Sequence, residues 1–147
     1  MQPDARLAAI AHVIQLAIAP VFLLTGIASL LVVLTNRLAR IIDRARALES
    51  QHLLTETGEH KSRLGSDLHM LSRRARYVNR SISLFTIAAL LVCLLISVLF
   101  VSAFYTPDVS RMVASLFVGA MLCLILGLIG FLREVRLATA SLRIGPH

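Results

Sequence analysis

The sequence predicts an all-α integral membrane protein with three transmembrane helices, the first two extended into a cytoplasmic antiparallel coiled-coil hairpin. Three observations carry this expectation. The 147 residues are 57% hydrophobic, with a mean hydropathy of +0.80, whereas soluble domains are roughly 45–50% apolar. Three segments, Ile10 to Leu34, Ile82 to Phe104 and Val113 to Leu132, reach the length of about 20 residues needed to cross a hydrocarbon core. Between the first two, apolar residues recur at alternating steps of four and three, the pattern of a coiled-coil seam.

The first span is expected to stay in the mature protein. Met1 to Ala11 lacks the basic stretch of a signal peptide, and the apolar run that follows is too long for one. Pro20 removes an intrahelical hydrogen bond and is expected to bend the span. Gln15, Thr25, Gly26 and Ser29 also interrupt it. Gln15 needs a partner or a place near the interface, because hydrocarbon offers no hydrogen bonds.

The stretch Asn36 to Arg46, NRLARIIDRAR, gathers Arg37, Arg40, Arg44 and Arg46 around Asp43 alone. Its counterpart before the second span, RRARYVNR, holds Arg73, Arg74, Arg76 and Arg80 with no acid. With Lys61 and Arg63 between them, these set a dense basic segment against Arg111 alone in the connection between the second and third spans. Arg133, Arg136 and Arg143 follow the third. By the positive-inside rule the N-terminus lies outside, and the hairpin and C-terminus lie in the cytoplasm. The same rule explains the net charge of +7, so no nucleic-acid partner is expected.

The hairpin follows from the seams. Leu34, Leu38, Ile41, Ala45 and Leu48 form one; Leu64, Leu68, Leu71, Ala75, Val78 and Ile82 form the other. Antiparallel partners have residue numbers with a constant sum. Leu38 with Val78, Ile41 with Ala75, Ala45 with Leu71, and Leu48 with Leu68 share one sum, whose half falls on Gly58. Thr57 and Gly58 are suited to end one helix and turn the chain. Spans and hairpin together form a single membrane domain over residues 1–147.

On the outer side Tyr105 to Arg111, YTPDVSR, is short and polar, with Pro107 as a turn residue. Phe104 and Tyr105 stand where aromatic belt residues occur. Small residues recur at four-residue spacing in the second span (Ala89, Cys93, Ser97) and in the third (Ser115, Gly119, Cys123, Gly127). Such stripes let helices approach closely, within the chain or between subunits.

The chemistry of the chain lies in its arginines. With the seams docked, Arg44 and Arg74 face each other and repel unless an anion lies between them. Acids within the two basic stretches are too few to supply it. Lipid phosphates fit, since each basic residue just cytoplasmic of a span attracts an anionic surface by about 1 kcal/mol and the arginine fork binds two oxygens. The residues expected to bind an anion or headgroup are Asn36, Arg37, Arg40, Arg44, Arg73, Arg74, Arg76, Asn79 and Arg80. A defined pocket for a phosphorylated ligand or signalling lipid is the sharper alternative. No cofactor is expected. Cys93 and Cys123 have no metal or redox spacing, and the spacing of His52, His60 and His69 matches no ligand set. No catalytic constellation or phosphate loop occurs, so the chain is not expected to be an enzyme.

The stretch Ile14 to Glu49, with PVFLLTG and NRLARIIDRAR, and the stretch Leu71 to Ile82, LSRRARYVNRSI, resemble a bacterial membrane-protein family known only as domain of unknown function 2721. The likeness runs from about Ala8 to Arg136. It implies a small multi-span protein of the bacterial inner membrane and transfers no catalytic or ligand residue. Two function classes remain: a non-catalytic scaffold that assembles with itself or a membrane partner and binds anionic headgroups, and an oligomeric anion channel or transporter with an arginine-lined vestibule.

Overall fold

The computed structural model describes residues 3–54, 58–102 and 109–140, and within them the chain is helical apart from Val109. Helix α1 spans Pro3–Leu54, α2 spans Gly58–Ser102 and α3 spans Ser110–Ala140. At 1.5 Å per residue, the 52 residues of α1 and 45 of α2 measure about 78 and 68 Å, against a hydrocarbon core of about 30 Å. All three are long and apolar enough to span a membrane, and α1 and α2 have as much length again beyond a span. The helix passes through Pro20 without a break, and Pro20 is buried. The expected turn residue Thr57, the outer-turn residues Phe104, Tyr105 and Pro107, and Arg143 lie outside the described residues.

Packing divides the chain into two compact units, each built from a piece of every helix. One comprises Met1–Leu31 and Leu84–Ile125. Its buried residues are Val13, Ala17, Pro20 and Ile27 of α1, Phe85, Ala88, Val92 and Leu95 of α2, and Ala120 and Leu124 of α3. The helix hydroxyls here bond back to carbonyls one turn earlier, Thr25 Oγ1 to Val21 O at 3.3 Å and Ser29 Oγ to Thr25 O at 3.0 Å. A polar group in an apolar segment is thereby satisfied within its own helix. The first bond of α3, from Val113 N to Val109 O, is 2.9 Å.

The other unit comprises Val32–Ser83 and Leu126–His147. Leu34, Ile41, Leu71 and Val78 are buried in it, and Leu38, Ala45, Leu48, Leu68, Ala75 and Ile82 are half-buried. These are the two expected seams; only the Leu64 side chain falls outside the described set. Along α1 the least exposed positions keep the four-three alternation from Val13 to Leu48, by way of Leu24 and Leu31.

The small-residue stripes coincide with the packed faces only in part. Cys93 and Ser97 are exposed and Ala89 is half-buried, while α2 packs through Ala88, Val92 and Leu95. On α3, Ser115 is exposed, Gly119 and Cys123 are half-buried, and Gly127 is buried. The reason is angular. Each residue turns a helix by about 100°, so a strict four-residue spacing drifts about 40° per step. The stripe on α3 starts outside and drifts onto the packed face by Gly127. Both cysteines are free thiols.

Candidate functional site

The basic stretches of α1 and α2 share their unit with the end of α3, and that end supplies the acid they lack. Glu134 is fully buried. Its Oε1 accepts a hydrogen bond from Arg74 Nη2 at 3.0 Å, and its Oε2 lies 3.4 Å from Arg37 Nη1. Arg37 also lies over the Phe131 ring, 5.4 Å from its centroid, a cation–π arrangement one turn before Glu134 on α3. The carboxylate therefore sits between one guanidinium from each of the other two helices, both partly exposed.

This corrects the expectation that internal pairing cannot neutralise the arginines. The acid comes from α3, 60 residues beyond Arg74. The arginine that meets Arg74 across an anion is Arg37; Arg44 is exposed. A sequence signal for Glu134 exists. Val113, Leu116, Ala120, Cys123, Gly127, Gly130 and Glu134 follow the same alternation of three and four, and none of them is exposed. A carboxylate on a seam that otherwise carries apolar and small residues has to be paired.

Next to this ion cluster α2 and α3 approach closely. A Cβ added to Gly130 would lie 2.6 Å from Ser81 Oγ. Ser81 is buried, and its hydroxyl has no hydrogen-bond partner among the described residues. At Gly119, by contrast, an added Cβ would meet Leu91 Cδ1 at an ordinary 3.5 Å.

The remaining basic residues do something different. Arg73, Arg76, Tyr77 and Arg80 line a cleft of about 260 Å³. Tyr77 is half-buried and the three arginines are exposed. No acid among the described residues pairs with these three. Asn36, Arg40 and Asn79 are exposed, and the Asn79 carbonyl accepts a hydrogen bond from Ser83 Oγ at 3.1 Å. The nine residues expected to bind an anion thus separate into a pair held by Glu134, three that line a cleft with Tyr77, and four exposed on the surface.

No match is found among curated proteins or among solved structures. A family model described as "Protein of unknown function (DUF2721)" matches residues 17–144, a stretch that contains α1 from Ala17 onward, all of α2 and α3, and every residue of the ion cluster and the cleft. The chain belongs to that family.

Proposed function

We propose that this chain is a non-catalytic, multi-pass protein of the bacterial inner membrane that assembles with itself or a membrane partner and engages anionic lipid headgroups through a basic cytoplasmic hairpin. The observation that carries the reading is the exposure of large apolar side chains on all three helices. Phe22 is 74% exposed, Leu90 60% and Val118 55%. Apolar surface on this scale is covered by lipid or by other helices. Arginine asymmetry along the chain supports the cytoplasmic side for the hairpin, and burial of both seams supports its coiled-coil pairing.

The assembly reading is favoured over an anion pore by two observations. Thr25 and Ser29, which would line an aqueous path, spend their hydroxyls on carbonyls of their own helix. Arg37 and Arg74, which would attract a permeant anion, are paired with Glu134. The test is the full chain reconstituted in vesicles with insertion confirmed. Mild oxidation is expected to join exposed Cys93 residues of neighbouring copies, with anion efflux no faster than from empty vesicles. Efflux that Arg44→Glu abolishes would replace the scaffold by a pore.

A further inference from the structure

We propose that the cleft lined by Arg73, Arg76, Tyr77 and Arg80 binds a phosphomonoester in preference to the phosphodiester of ordinary anionic lipids. The proposal rests on the reading of the hairpin as headgroup-facing and deepens it by naming the ligand's charge and the residues that hold it. The four residues stand at positions i, i+3, i+4 and i+7 of α2, within an arc of about 100°. They form a ladder about 10 Å long. Its upper rung, Arg80, stands just before Ile82, where the apolar run begins. Tyr77, an amphipathic ring suited to the membrane interface, lies between the arginines.

Three features select the ligand. The cleft is lined from α2 alone, so it can grip a headgroup while the rest of the ligand stays outside. Its three guanidiniums have no acid partner among the described residues, whereas the neighbouring Arg74 is committed to Glu134. The cleft thus presents three uncompensated charges on one helical face. A phosphodiester brings one negative charge and two free oxygens. A phosphomonoester brings about −1.5 to −2 and three acceptor oxygens, and nearby cations favour its doubly charged form. Guanidinium forks bind such oxygens in pairs, and the Tyr77 hydroxyl can donate to a third.

The test is calorimetric titration of the full chain in detergent with three probes: dioctanoyl phosphatidic acid, dioctanoyl phosphatidylglycerol and glycerol 3-phosphate. Phosphatidic acid is expected to bind about ten-fold tighter than phosphatidylglycerol, from its added charge near three arginines. Arg76→Gln and Arg80→Gln, confirmed as folded by unchanged melting, are expected to remove that preference. Arg76→Lys keeps the charge without the fork and should retain part of it, and Arg111→Gln, at an exposed position outside the basic stretches, should leave it intact. Glycerol 3-phosphate binding as tightly as phosphatidic acid would support the site and identify a soluble source. Equal affinity for both lipids, or a preference that survives Arg73→Gln/Arg76→Gln/Arg80→Gln, overturns the phosphomonoester site and leaves general headgroup binding standing. Failure of both lipids to bind overturns both.

Discussion

Glu134 decides how the arginines divide. A fully buried carboxylate is costly unless paired, and removing the partner of a buried pair costs about 3–5 kcal/mol. Arg74 and Arg37 keep side-chain exposures of 24% and 33%, so solvent screens part of the interaction. Glu134→Ala is therefore expected to cost about 2–4 kcal/mol, a fall in Tm of roughly 5–10 °C in detergent. The shorter bond from Arg74 should give it the stronger coupling. In double-mutant cycles of Arg74→Gln and Arg37→Gln with Glu134→Gln, the Arg74 cycle is expected to show the larger interaction energy. A larger value for Arg37 would mean that its contact with the Phe131 ring outweighs the hydrogen bond.

At the scale of helices, the approach of α2 to α3 is set where Gly130 meets Ser81, with no room for a Cβ. Gly130→Ala gains helix propensity, about 1 kcal/mol in an exposed helix. It must also displace a serine hydroxyl 2.6 Å away, and overpacking typically costs about 1–3 kcal/mol. The net expectation is destabilisation. Ser81→Ala removes a buried hydroxyl that has no partner among the described residues, so alone it should be neutral or stabilising. The two together should be at least as stable as the unmodified chain, read by thermal unfolding in detergent. Additive losses would show that the two sites do not share this contact. Gly119→Ala, facing Leu91 at an ordinary distance, should have little effect.

For the whole molecule, the lopsided arginine distribution makes an orientation testable by labelling. In a Cys93→Ala/Cys123→Ala background, Pro107→Cys is expected to react with a membrane-impermeant maleimide in intact spheroplasts. Thr57→Cys should react only after permeabilisation. Labelling of Thr57→Cys in intact spheroplasts would reverse the orientation and place the cleft on the outer face, away from the basic-side logic of the rule.

The three long apolar helices and the buried stripes of α1 and α2 are legible in the sequence because each is a local or periodic property. Length and hydropathy act on consecutive residues. The four-three alternation fixes which face of α1 and α2 is buried. Leu34, Ile41, Leu71 and Val78 are buried accordingly. The small-residue stripes meet the packed faces only in part, because a four-residue spacing rotates steadily off a face that follows 3.5 residues per turn. The partner of Arg37 and Arg74 was decided by tertiary structure alone. Glu134 comes from the third helix, and an apolar helix following a separate connection has no turn arithmetic to fix its rotation or axial register against the other two. Only packing, with Gly130 against Ser81 and Phe131 beneath Arg37, sets that rotation and brings the carboxylate between the two guanidiniums.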